Sequence, residues 1–193
     1  MANLTIIACV GKDRGIGKDN ELIYHFKEDM KFFREHTMGK KMIMGRKTLE
    51  SLPKLLPGRI HLVLTHSKID NPEITTFSSI EDFLDYANQT DEEIMVIGGA
   101  KIYSELYPYS NKMLLTEVDD TKEADAFFPE YSKDEWDSEV LSEHIESGIK
   151  YKHGWKRFNN CRCSLVNAVP NGATVFSAPI CCIFSTSGPP STI

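Results

Sequence analysis

Apolar positions along this 193-residue chain fall into short runs separated by glycine, proline and charge. Leu4-Thr5-Ile6-Ile7-Ala8-Cys9-Val10 is nearly continuous, the pattern of a central strand buried on both faces. Met42 to Met44, Arg59 to Thr65, Glu93 to Ile97 and Lys112 to Val118 read as further strands. Between them the period changes. Phe26, Met30 and Phe33 recur at helical spacing within residues 26–36, with Lys31, Arg34 and Glu35 on the polar side. A helix is also predicted over Ser79 to Asn88 and short ones at Thr48 to Leu52 and after Gly99, an alternation that defines an α/β class. Toward the end, Trp136 to Glu143 and Ile149 to His153 are expected to pair as antiparallel strands across Ser147-Gly148, with Trp155 to Phe158 completing the last one. Gly11 to Asn20 is too rich in glycine and charge to predict regular structure, so it is expected as a mobile loop beside the first strand.

Composition changes this picture at one end. Residues 154–193 hold no Asp or Glu and three cations, which leaves 19 cations against 28 acids, or −9, on residues 1–153. The reading is a single domain over residues 1–158 and an atypical, poorly ordered extension over 159–193. The formal charge of −6 argues against a general nucleic-acid binder, because that function needs a basic field. No apolar run approaches a membrane span and no leader is evident, so a soluble cytoplasmic protein is expected. Cys9, Cys161, Cys163, Cys181 and Cys182 are expected as free thiols, and their spacing does not suggest a metal site.

Two junctions carry candidate chemistry. Met42-Ile43-Met44-Gly45-Arg46-Lys47-Thr48 and Met95-Val96-Ile97-Gly98-Gly99-Ala100-Lys101-Ile102-Tyr103 each run from a buried strand through glycine into a helix start. Glycine permits close backbone approach, and the free N–H groups there favour an anion. Two such junctions suit one extended phosphorylated ligand, although neither is a Rossmann GxGxxG fingerprint. Arg46 and Lys47 could clamp a phosphate. Asp29 shares a helix face with Phe33, and a carboxylate in an apolar cleft has its pKa pushed up. Arg59 could grip a carboxylate, and Thr116 could hydrogen-bond beneath a pocket.

Taken in order, Ile6-Ile7-Ala8, Gly15-Ile16-Gly17, Asp29 with Phe33 and Thr37, Met44 to Thr48, Leu56-Pro57-Gly58-Arg59, Ile97-Gly98-Gly99 with Tyr103, and Thr116 resemble the dihydrofolate reductase family of bacterial chromosomal type, from about residue 3 to residue 153. The resemblance implies a mostly parallel twisted sheet with flanking helices and a C-terminal antiparallel strand. It implies NADPH-dependent reduction of 7,8-dihydrofolate, with hydride to C6 and a proton to N5. Asp29, Thr116, Tyr24 and Leu22 would form the catalytic group. Ile7, Ala8, Met30, Phe33, Leu52, Arg59, Ile97 and Tyr103 would join Asp29 and Thr116 around the substrate or an antifolate. NADPH would lie against Ala8, Ile16, Gly17, Gly45, Arg46, Lys47, Thr48, Leu64, Thr65, His66 and the segment Gly98, Gly99, Ala100, Lys101, Ile102, Tyr103. A cis peptide between Gly98 and Gly99, no metal, and a monomer are further implications.

The chain departs from the family at Leu22-Ile23-Tyr24-His25-Phe26-Lys27, where two prolines and a tryptophan are normally found. Losing two fixed φ angles should loosen the loop and helix start, and so alter loop closure and weaken antifolate binding. Two alternatives remain: a noncatalytic NADPH- or pterin-binding protein, and a related pterin or ribosyl-pyrimidine reductase. Asp29, Arg59 and Thr116 together favour folate.

Overall fold

The computed structural model describes residues 2–159, so the expectation for the extension lies outside the described residues. In chain order the elements are β1 (Leu4–Val10), β2 (Gly15–Lys18), β3 (Glu21–Leu22), α1 (Lys27–Thr37), β4 (Lys41–Gly45), α2 (Arg46–Ser51), β5 (Ile60–Leu64) and β6 (Ile74–Phe77). They continue with α3 (Ile80–Ala87), β7 (Ile94–Gly98), α4 (Ala100–Leu106), β8 (Lys112–Val118), β9 (Ala126–Phe127), β10 (Trp136–Glu146) and β11 (Ile149–Phe158). Eight strands form one sheet in the order β10-β11-β8-β1-β7-β4-β5-β6. From β8 to β6 the pairing is parallel, and β11 adds antiparallel to β8 and β10 to β11.

The continuous apolar runs are buried on both faces of the sheet, and the strand period of two assigns neighbours to opposite layers. Ile6, Ile43 and Val96 pack with Ile102, Leu106 and Phe83 on one face. Ile7, Met42, Met44 and Met95 pack with Phe32 and Leu114 on the other. At roughly 25 cal/mol per Å² of apolar surface, each fully buried Leu, Ile or Met side chain contributes about 1.5–3 kcal/mol before chain entropy is counted. The sheet therefore fixes the strand ends where the candidate groups sit.

The structure differs from the sequence expectations at four elements. Gly15 to Lys18 is not irregular: it is β2, centre of a three-stranded sheet with β3 and β9. Its glycines are required by close packing, since a Cβ on Gly15 would lie 2.9 Å from the Ala124 Cβ and one on Gly17 3.0 Å from the Glu21 carbonyl oxygen. β6 was not expected, because Thr75 and Thr76 are exposed on an edge strand of only four residues and give no buried run. α2 begins at Arg46 instead of Thr48, directly after β4 with Gly45 as its N-cap. β10 also runs on to Glu146, with an irregularity between Val140 and Ser142.

Candidate active site

α1 carries Asp29 in its first turn, where the helix end favours a carboxylate, and turns it inward so that only 9% is exposed. Thr116 on β8 is 1% exposed and donates from Oγ1 to Asp29 Oδ1 at 2.5 Å. Cys9 stands beside Thr116 in the β1–β8 register, and its thiol donates to the same carboxylate. His153, opposite Thr116 in the β8–β11 register, places Nε2 3.8 Å from Asp29 Oδ1. Burial drives the Asp29 pKa up, while the donors Thr116 and Cys9 pull it down, and burial prevails. The Cys9 thiol is raised by burial and by Asp29, which keeps it a neutral donor.

The wall beside Asp29 is apolar. Ile7, Phe33, Leu52 and Ile97 belong to the packed face that also holds Phe32 and Met44, whereas Met30 is half-exposed at its edge. Arg59, after the Pro57-Gly58 turn, has a buried Nε with no hydrogen-bond partner among the described residues. Its pKa is lowered by desolvation and then by Arg34, a second cation that the sequence reading had not singled out. Two neighbouring guanidinium groups, one with a buried vacant donor, make an anion-demanding spot beside α1.

On the loop, Leu22 is exposed in β3, and Tyr24 is 2% exposed. The Tyr24 hydroxyl donates to the Asp120 carbonyl at 2.9 Å, and its ring stacks on Phe26 at 5.7 Å. Burial pushes the Tyr24 pKa up to about 12, so the phenol stays neutral. Lys27, where the family has a proline, has an N–H to satisfy, and it donates to Glu146 Oε2 at 3.0 Å. The expected loosening at this helix start is thus offset by a partner from β10.

A groove of about 770 Å³ joins the two glycine junctions. Gly45, Arg46, Lys47, Thr48, Leu64, Thr65, His66, Gly99, Ala100, Lys101 and Ile102 line it, as expected from sequence. Ala8, Ile16, Gly17, Gly98 and Tyr103 are not part of this lining, and Ile16 and Tyr103 are buried in the core. The Gly98-Gly99 peptide is cis. Gly98 has φ +105°, and a Cβ there would meet the Tyr103 ring at 2.8 Å, so only glycine fits. Tyr103 is locked by its hydroxyl, which donates to the Ile7 carbonyl at 2.8 Å. Arg46 Nε donates to Glu50 at 2.7 Å, and one Arg46 terminal nitrogen donates to Ser67 Oγ at 2.8 Å. Sequence reading missed Asn20, Ser78, Ser79, Ile80 and Ala126 in the lining, and with them three acids, Glu81, Glu105 and Asp125. The signal for Ser79 was present, because it caps α3 by accepting from the Asp82 N–H, but it follows the unexpected β6. A second cleft, about 860 Å³, opens beside β8, β10 and β11 and contains none of the expected site residues.

A buried carboxyl facing an apolar wall, next to a cation-bearing groove entered by two glycine-led helices, defines a nucleotide-dependent reductase of α/β fold. The dihydrofolate reductase family model matches residues 3–160. Dihydrofolate reductase of Bacillus subtilis (strain 168) is 37% identical over 134 residues, 69% of this chain and 79% of that protein. That of Neisseria gonorrhoeae is 39% identical over 155 residues, 78% of this chain and 95% of that protein. Among solved structures, dihydrofolate reductase from Enterococcus faecalis complexed with NADP(H) and RAB-propyl superimposes with a TM-score of 0.74 at 26% identity, covering 81% of this chain and 96% of that one. The chain belongs to the dihydrofolate reductase family, and it is an NADPH-dependent oxidoreductase acting on dihydrofolate.

Proposed function

We propose that Asp29 anchors the pterin of 7,8-dihydrofolate and governs its protonation at N5, while the apolar wall and Arg59 hold the rest of the substrate. The observation that carries this reading is the buried Asp29 carboxyl, tied to Thr116 at 2.5 Å. A carboxylate withdrawn from water is stabilised by a ligand bringing N–H donors, which the pterin amino and ring nitrogens supply. Thr116 fixes the carboxyl orientation from below. Ile7, Ile97, Phe33 and Leu52 exclude water around the rings, and Met30 closes the edge. The vacant Arg59 Nε, supported by Arg34, suits the carboxylate of the glutamate tail.

The groove fits NADPH by size, by its cations and by the backbone approach that Gly98 and Gly99 allow. Arg46 would receive the adenosine 2′-phosphate with Thr65 and His66, while α4 would face the pyrophosphate with Ala100, Lys101 and Ile102. When bound, the nicotinamide supplies the hydride that C6 accepts. Leu22 and Tyr24 shield that region, and water admitted between them is the route by which the proton governed by Asp29 reaches N5. No nucleic-acid or membrane partner enters this reading, and among the described residues no helix is long and apolar enough to cross a membrane. Residues 1–158 make up the catalytic domain, acting as a monomer on this reading.

Steady-state kinetics test the assignment. Asp29→Asn should lower kcat by about 10²-fold or more, the usual scale of a lost proton-transfer group, while NADPH binding persists. Arg59→Gln should raise KM for dihydrofolate with little change in kcat. Unchanged kcat in Asp29→Asn would remove Asp29 from the reaction.

A further inference from the structure

Beside Asp29, across the β8–β11 register, the structure holds a line of imidazole and hydroxyl groups with one gap, at Asp29 itself. His153 is 3% exposed, stacked at 4.3 Å and 8° on Phe32, and its Nε2 has no hydrogen-bond partner among the described residues. That buried nitrogen faces Asp29 Oδ1 at 3.8 Å. The other ring nitrogen, Nδ1, lies 3.1 Å from Ser142 Oγ. Ser142 Oγ is in turn 2.9 Å from His144 Nε2. His144 is only half-buried and lines the cleft of about 860 Å³ beside β10 and β11. A polar ring pressed between a phenyl group and a carboxyl, with one nitrogen unsatisfied, is costly unless that nitrogen has a job.

We propose that His153, Ser142 and His144 form a proton conduit that reloads the Asp29 carboxyl from the second cleft, so that the proton passed on to N5 is replaced independently of the water between Leu22 and Tyr24. This rests on the assignment of Asp29 above. In the inward step a proton adds to His144 Nδ1, and the His144 Nε2–H moves to Ser142 Oγ. The Ser142 hydroxyl proton then moves to His153 Nδ1, and the His153 Nε2–H moves to Asp29 Oδ1. One proton enters, one arrives, and each intervening group ends neutral; the hydroxyl then rotates and the rings exchange tautomers to reset. The last gap exceeds a hydrogen bond by about 1 Å and has to close for this step, as catalytic hydrogen bonds that are long without ligand tighten when a site fills.

The resting ring suits a relay. Burial and the neighbouring His144 hold His153 down at about 4, so it is neutral at working pH and does not trap the proton. The other groups facing it are Glu28 and His36 from α1 and Tyr151 from its own strand. Glu28 raises and His36 lowers its affinity, and Tyr151 is itself raised to about 12 by burial and therefore neutral.

Ser142→Ala tests the conduit, because it cuts the line at a half-buried residue that touches neither Asp29 nor the substrate wall. Single-turnover rates should fall several-fold above neutral pH with a larger solvent deuterium isotope effect, unchanged KM for dihydrofolate, and recovery in Ser142→Thr. Nitrogen NMR of histidine-labelled protein without ligands should find His153 as the Nε2–H tautomer. A Nδ1–H tautomer, or a Ser142→Ala profile and isotope effect identical to the parent, would overturn the conduit. If Asp29→Asn alone proves harmless, the Asp29 assignment fails instead.

Discussion

Asp29 is held between opposing influences: burial favours its neutral acid, and the hydroxyl of Thr116 and thiol of Cys9 favour its anion. Because its folded pKa is raised, the stability linked to this group is full below the ordinary Asp range and is lost as pH rises through the folded value. Asp29→Asn should therefore melt higher than the parent at pH 8, and the gain should vanish in acid; a lower thermal midpoint at pH 8 would contradict the burial argument. His153 has the opposite sign. Its pKa falls from an ordinary 6.5 to about 4, so its linked stability is present above 6.5 and lost as pH drops toward 4. His153→Phe should flatten that acid limb in a thermal-melt series. At the cofactor groove, Arg46→Ala should raise KM for NADPH about 10-fold to 100-fold relative to NADH, the scale of a lost charge-assisted hydrogen bond of about 1.5–3 kcal/mol. Equal effects on the two cofactors would place the 2′-phosphate elsewhere.

At the scale of elements, the altered stretch Leu22 to Lys27 gains partners that no periodicity could show. The Lys27 N–H is met by Glu146 and the Tyr24 hydroxyl by Asp120, contacts spanning about a hundred residues of sequence. Glu146→Ala should thus speed amide exchange at the start of α1 and cost about 1 kcal/mol, comparable to losing a helix cap. Tyr24→Trp should tighten antifolate binding in an inhibition assay, and unchanged affinity would show that the tyrosine is not what distinguishes this wall. The parallel strands were legible because Leu4–Val10 is almost wholly apolar and Lys112–Val118 carries the apolar run Met113-Leu114-Leu115 at its buried centre. β6 and β2 were not, since one is a four-residue edge strand with exposed threonines and the other is held by glycine packing against Ala124 and Glu21. Asp29, Thr116 and Arg59 could be proposed from spacing and family likeness. Cys9, Arg34 and His153 could not, because their relevance depends on register across β1, β8 and β11 and on a turn that brings Arg59 near α1.

For the whole molecule, a sheet with cores on both faces leaves function to its strand ends and the clefts beside them. The chain is acidic overall at −6, yet Arg46, Lys47 and Lys101 line one groove beside the acids Glu81, Glu105 and Asp125. NADPH affinity should accordingly weaken as salt rises, because the attraction is local and partly solvent-exposed. The claim on which everything else depends is that a buried acid drives dihydrofolate reduction. Its most direct test is a single turnover of NADPH-loaded protein mixed with dihydrofolate, followed by NADPH absorbance across pH, for the parent and for Asp29→Asn. The parent should react rapidly and slow as pH rises through the Asp29 titration, whereas the variant should be about 10²-fold slower and flat with pH. Equal rates, or the same pH dependence in both, would contradict it.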